Sequence, residues 1–484
     1  MSNKIWAQLF LGAALCLGGC STIGGVGDAI GSINPFGGGD DDDTQGEVGG
    51  ESERISLLSI EDTLAITGDV TPADVVLPAA YVNADWPQAG GNVTNAMQHT
   101  GAGGTLNKLW SKDIGDGTSK KGRVLAPPVI AGGRLYVMDA DNTVSAFDAN
   151  SGSRIWEHKV TVEARGRTRE GRADIFERIT NPIGFSDGGG KDKESVGGGV
   201  AAADGKVYVT SGLGVMAALD ANSGEVVWRK RIATPLHSAP KVSGGRLFAI
   251  SDDNELFAVN ASTGDVLWTY QGIIESARML TVPAPAIVDD VIISPFASGE
   301  LVALQAQNGN ILWQDSLSSS GRLTPLASLN DIAGGPAVAD GYVIATSQSG
   351  VMSAFDMRTG QRIWSQPAGS LGIPLIAGDF VYAVTTNAEV ICVSKISGAV
   401  VWIRPLQGFK NEKKRKKRIA WSGPILAGDR LVTVSSRGEA VELNPYDGSI
   451  LREFSVGKAV FVPPIIANET VYFLNDDAKL QAYR

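Results

Sequence analysis

Cysteine is scarce in this 484-residue chain: Cys16, Cys20 and Cys392 are the only three. Two of them fall within the first twenty residues, so the remainder, with Cys392 alone, can form no internal disulfide. Histidine is as rare, and His99, His158 and His237 lie in separate segments without the spacing of a metal-ligand set. There is no Ser-His-Asp arrangement and no phosphate-cradling glycine loop followed by a helix; Gly197-Gly198-Gly199 precedes a strand and reads as a turn. Positive charge is in deficit, with a net charge of −10 and a pI near 5.0, which argues against a general nucleic-acid binder. Long hydrophobic runs are missing too, since no stretch approaches the ~20 apolar residues that a helix needs to span a bilayer.

What is present begins with an export signal. Lys4 supplies a positive start, and residues 5–17 form a short apolar run broken by Gln8 and Cys16. Leu17-Gly18-Gly19-Cys20 follows, which resembles the bacterial lipobox. That resemblance implies a lipoprotein signal peptide over residues 1–19 and acylation of the Cys20 thiol, the lipid being the only membrane anchor the sequence supports. Ser21 stands where an Asp would retain an enteric lipoprotein in the inner membrane, so the resemblance points to the outer membrane. Residues 20–80 are expected to be a flexible tether, because Gly24-Gly25, Gly37-Gly38-Gly39 and the four aspartates Asp40, Asp41, Asp42 and Asp43 cannot bury a core. Within it, the apolar residues of 55–64 suggest a short helix.

From residue 81 to 484 one phrase recurs: a small residue, a polar residue two later, Ser/Thr-Gly, then Trp. It reads Ala146, Asp148, Ser151-Gly152, Trp156, then Ala218, Asp220, Ser223-Gly224, Trp228, and then Ala258, Asn260, Thr263-Gly264, Trp268. It returns at Trp313, Trp364 and Trp402, and a further copy keeps Asn444 and Asp447-Gly448 but has Arg452 in place of Trp. Each copy is preceded by a Pro-headed pair of strands, opening at Pro128, Pro240, Pro285, Pro336, Pro374, Pro424 and Pro464, with Gly199 replacing Pro in the second unit. Eight openings therefore face seven complete closings, and the missing closing lies near Trp110. Alternating apolar positions make strands, and the Asp/Asn before Ser/Thr-Gly builds tight turns in which Gly supplies positive φ. The fold class is all-β: an eight-bladed β-propeller whose last blade is closed by an N-terminal strand, which leaves no open edge. The seven tryptophans, Trp110 to Trp402, read as packing between blades rather than as a ligand site. Gly152 and Gly224 stand 72 residues apart against 38 to 51 for the other pairs, and the excess, residues 160–194, reads as a surface insertion.

The phrase Ala-x-Asp-x-x-Ser/Thr-Gly-x-x-x-Trp resembles the repeat of the pyrroloquinoline-quinone (PQQ) dehydrogenase-like propellers. Two readings compete within that superfamily. Quinoprotein dehydrogenases typically carry adjacent cysteines above the quinone and a calcium site with an Asp base, whereas Cys392 here stands alone. The lipobox, the acidic linker, Asp85-Trp86-Pro87-Gln88-Ala89-Gly90-Gly91-Asn92 and the eight repeats instead resemble the BamB family of outer-membrane assembly lipoproteins, the Trp86 segment being most like its alphaproteobacterial members. That resemblance implies a scaffold that uses no cofactor, sits on the periplasmic face of the outer membrane, and binds the POTRA domains of BamA in the BAM complex. Unfolded outer-membrane proteins are a further implied partner.

In that family BamA is held by loops entering the middle blades, through a short apolar-Arg segment and nearby acidic residues. The local matches are Arg278-Met279-Leu280 and Asp331, although here the apolar residues follow the Arg and one acidic position is Ala333. The run Lys413-Lys414-Arg415-Lys416-Lys417-Arg418 is the sharpest charge feature of this acidic chain. It reads either as a solvated loop or as an attraction for anionic lipid or an acidic partner, on the same propeller face as Arg278 and Asp331.

Overall fold

The computed structural model describes residues 64–119, 122–161, 196–232, 234–275, 279, 281–318 and 329–484. Cys20, most of the expected tether and its short helix, the bulk of the 160–194 insertion, Arg278 and Leu280 lie outside the described residues. Eight four-stranded antiparallel sheets follow one another as blades 1 to 8. Blade 1 runs through Val129–Ala131, Arg134–Met138, Thr143–Asp148 and Arg154–Lys159. Blade 8 takes Ile465–Ala467, Thr470–Leu474 and Lys479–Tyr483 from the C-terminal side and Lys108–Asp113 from the N-terminal side. Trp110 faces Ala482 in that last pairing, and Lys479 Nζ meets Asp113 Oδ2 at 2.6 Å. The closure expected from the repeat count is therefore present. The second and third strands are buried along most of their length because neighbouring blades cover both sheet faces, and they are accordingly rich in Val, Ile, Leu and Ala. One turn reading is corrected: Gly198 and Gly199 open the first strand of blade 2, Gly198–Ala203, rather than a turn.

The tryptophans lock one blade to the next. In blade 2, Asp220 Oδ1 accepts the backbone N–H groups of Asn222 and Ser223, and this turn leads into Gly224 at φ +76°. Gly224 lies flat on the ring of Trp156 from blade 1; a Cβ there would sit 2.6 Å from Trp156 Cε3. The Trp156 indole N–H donates to the Ala221 carbonyl at 3.1 Å. Trp228, Trp268, Trp313, Trp364 and Trp402 donate in the same way to Ala261, Ala306, Met357, Lys395 and Pro445 of the following blade. The exception, Arg452, has a topological cause. Blade 8 receives its outer strand from the N-terminal side, so no Ser/Thr-Gly turn exists there to lie on an indole. Arg452 instead donates Nη1 to the Leu106 carbonyl at 3.0 Å and stacks on Phe454, 4.7 Å from the ring centre.

The segment 83–102 is a strap that runs once around the ring. Asn83 donates to Ile466 O, Trp86 exchanges two 2.8 Å backbone hydrogen bonds with Ile130, and Pro87 O accepts from Ala202. Gln88 pairs with the Val242 backbone, Val93 O and Thr94 O accept from Ile287 and Val338, and Gln98 Oε1 accepts from Gly378. Thr100 O finally accepts from Gly428. These partners are the innermost strands of all eight blades near their first turn, so the strap closes the channel on that face. The connections between blades emerge on the opposite face. The ordered body also begins before residue 81: Val75 is buried, and Leu64, Val70 and Leu77 pack against blades 5 to 7, because this part of the expected tether carries apolar side chains that the repeats leave room for.

Candidate functional site

The channel above the strap encloses about 530 Å³. Trp86, Ala89 and Gly90 of the strap form its floor, and its walls are the residues leading into the first strands, including Pro127, Ile373, Pro374 and Pro463. Its mouth lies on the connection face, where Phe461 is 44% exposed. Beneath the floor, Lys241 is fully buried and donates Nζ to the carbonyls of Ala89 at 2.6 Å and Asn92 at 2.5 Å. Burial away from water pulls its pKa down to about 7. Cys392 is likewise buried, and burial pushes its thiol pKa up, which makes it an unreactive core residue.

A PQQ-dependent enzyme would hold its tricarboxylate cofactor and calcium in such a channel. The described lining offers Arg123 as its single cation and Asp476 as its single carboxylate, and Asp476 already accepts a hydrogen bond from Thr118 Oγ1 at 2.6 Å. Among the described residues no three His, Cys, Asp or Glu side chains gather as a metal site. The residues present do not fit the quinone and its metal.

Two of the residues singled out from sequence come together. The Met279 backbone N–H donates to Asp331 Oδ2 at 2.8 Å, tying the loop between blades 3 and 4 to the loop between blades 4 and 5. Asp331 is 5% exposed, so its carboxylate shapes these loops instead of presenting itself to solvent. Met279 and Ala333 both line the channel. The basic run folds as a hairpin, Phe409–Asn411 against Lys416–Arg418, between blades 6 and 7. All six basic residues are exposed, Arg415 stacks on Phe409 at 5.4 Å, and Arg418 donates to the Thr386 carbonyl. Ala420 and Trp421, just past the hairpin, line the same channel. Sequence reasoning missed the strap, Trp421 and Phe461. The signal available was a non-repeating Gly- and Asn-rich segment ahead of the first blade, read from the sequence only as a mark of family resemblance.

Eight blades, docked by indoles at seven of their eight seams around a strapped, apolar channel, define a propeller of the PQQ-repeat class. Within that class the chain belongs to the family described as outer membrane protein assembly factor BamB, whose model matches residues 107–191 and 182–404. It is 26% identical over 369 residues to the outer membrane protein assembly factor BamB of Moranella endobia, covering 75% of this chain and 86% of that one. The Yersinia pestis protein of the same name is 27% identical, with 75% and 84% covered. Relatives of this kind come mostly from gamma- and betaproteobacteria and lend no support to the alphaproteobacterial likeness of the Trp86 segment. Among solved structures, BamB from Moraxella catarrhalis superposes with a TM-score of 0.62 at 18% identity, covering 78% of this chain and all of that one. Quinohemoprotein alcohol dehydrogenase from Comamonas testosteroni gives 0.59 at 14%, covering 83% and 80%. At such identities both superpositions speak for the fold alone.

Proposed function

We propose that the protein is a non-catalytic scaffold lipoprotein of outer-membrane β-barrel assembly, held by lipid on Cys20 at the periplasmic face of the outer membrane. Its partners in this reading are the POTRA domains of BamA within the BAM complex and, through that complex, unfolded outer-membrane proteins. Membership of the BamB family supports the role. The observation that carries the binding face is the convergence of the 279 loop, the 331 loop and the basic hairpin around one channel mouth. Residues 20–80 act as the tether in this reading, their last part resting on the propeller through Val70, Val75 and Leu77, and the lipoprotein signal ends at Gly19.

Two experiments test it. Arg278→Ala and Leu280→Ala should each weaken binding to purified BamA POTRA domains by tenfold or more, about 1.4 kcal/mol, with an unchanged thermal midpoint, since interface energy concentrates in a few anchors. Wild-type affinity in both variants would move the binding face elsewhere. Cys20→Ala should leave the protein unprocessed or release it to the soluble periplasmic fraction; normal processing with full membrane retention would remove the lipid anchor from the proposal.

A further inference from the structure

The connection face sets an apolar opening beside a cluster of exposed cations. The hairpin carries Lys410, Lys413, Lys414, Arg415, Lys416 and Lys417 into solvent on a protein whose net charge is −10. Its one acid is engaged: Glu412 Oε1 accepts the backbone N–H groups of Gly408 and Phe409, both at 3.0 Å. The hairpin's base continues directly into the channel wall. Ile419 N–H donates to the Gly408 carbonyl, and Trp421, the second residue beyond, anchors its indole N–H on the Gln407 carbonyl at 2.9 Å while lining the cavity. Leu371, Met279 and the 44%-exposed Phe461 complete the apolar mouth, and Arg123 adds a further cation in the wall.

We propose that channel mouth and hairpin form one docking site for an extended peptide segment of a partner, with apolar side chains seated in the channel and acidic residues laid along the hairpin. The channel already accepts a peptide at its other end, where the strap bonds main chain to main chain along the innermost strands. A volume of about 530 Å³ falls within the range of ligand pockets and holds a few large apolar side chains. Charge complementarity chooses the flank, because steering between unlike charges raises the association rate and disfavours basic competitors. This inference rests on the reading of the connection face as the partner face, and it names the chemistry of the segment that enters.

The test uses the full chain in phosphatidylcholine nanodiscs and two fluorescein-labelled peptides, one with four apolar residues followed by four glutamates and one with lysines in the flank. Anisotropy should show the glutamate peptide binding at least tenfold more tightly at low salt, with the difference shrinking as salt rises. Phe461→Asp and Leu371→Asp should each weaken it at least tenfold with an unchanged thermal midpoint. Lys413→Glu combined with Lys414→Glu and Lys416→Glu should erase the preference between the two peptides. Equal binding of both peptides by the wild type, or indifference to Phe461→Asp and Leu371→Asp, overturns the proposal. Displacement of the peptide by phosphatidylglycerol vesicles at lower concentration than by unlabelled peptide also overturns it, and assigns the site to anionic lipid. Because BamA is absent from this assay, such a failure is distinct from any loss of POTRA binding in the Arg278 and Leu280 variants.

Discussion

Trp228→Ala should lower stability by about 3–5 kcal/mol, the cost of losing a large buried aromatic from a packed core. Trp228 is 8% exposed, lies 6.3 Å from the Tyr208 ring and donates its indole N–H to the Ala261 carbonyl of the next blade at 2.9 Å. Removing it opens a cavity at a seam and leaves that carbonyl without the bond. Gly264→Ala attacks the same seam from the other side. Gly264 sits at φ +78°, and a Cβ would fall 2.6 Å from Trp228 Cε3, so the substitution combines left-handed backbone strain of ~1–2 kcal/mol with overpacking of ~1–3 kcal/mol. In the double variant the methyl meets the space that the indole vacated. The two losses should therefore sum to more than the double variant shows, a coupling read by urea denaturation of the four proteins. Additive losses would mean that Trp228 and Gly264 do not form the lock between blades 2 and 3.

The same pair explains how much of the fold was legible. Indole and glycine touch across every ordinary seam, so both are fixed in the repeat, and eight openings against seven closings led directly to the ring and its split last blade. Even the exception at Arg452 was visible as a departure, although its cause, the missing turn in blade 8, needed the topology. The strap was not legible, because it touches each blade about once, through backbone groups that any sequence supplies and through the side chains of Asn83, Gln88 and Gln98, which follow no repeat. The beginning of the ordered body was misplaced for a related reason. Val75 and Leu77 fill a gap beside blades 6 and 7 without any periodicity of their own. Asp331 was found by its type and position, yet the expectation of a carboxylate facing a partner gives way to one that holds the Met279 backbone, since proximity to a loop of the neighbouring blade decides what a buried carboxylate does.

Stability of the wild type should rise between pH 7 and pH 10 in a way that Lys241→Met abolishes. Lys241 holds the strap from beneath, with Nζ bonded to the Ala89 and Asn92 carbonyls at 2.6 and 2.5 Å and no exposure to water. Burial disfavours the ammonium form and brings the pKa in the folded protein to about 7, while the unfolded chain keeps the ordinary value of 10.5. Below pH 7 both states carry the proton and the group's contribution is flat. Between pH 7 and 10.5 the unfolded state binds more protons than the folded one, so unfolding becomes less favourable as pH rises. At about 1.4 kcal/mol per pH unit, the gain reaches a few kcal/mol by pH 10. Methionine of similar length cannot titrate, and it removes the lysine donor from the buried Ala89 carbonyl at a cost of ~1–3 kcal/mol, while the Asn92 carbonyl keeps the Asn95 N–H at 3.4 Å. The measurement is the thermal midpoint of both proteins from pH 6 to pH 10. Other groups titrate in this window, so the quantity that matters is the gap between wild type and variant, which should widen as pH climbs. A gap that stays constant would mean that Lys241 keeps its proton throughout, with the two carbonyls holding the ammonium ion as firmly as water does. A widening gap would show that the floor of the channel is held by a neutral amine at alkaline pH and by a desolvated ammonium ion below neutrality, which ties the strap to the protonation of Lys241.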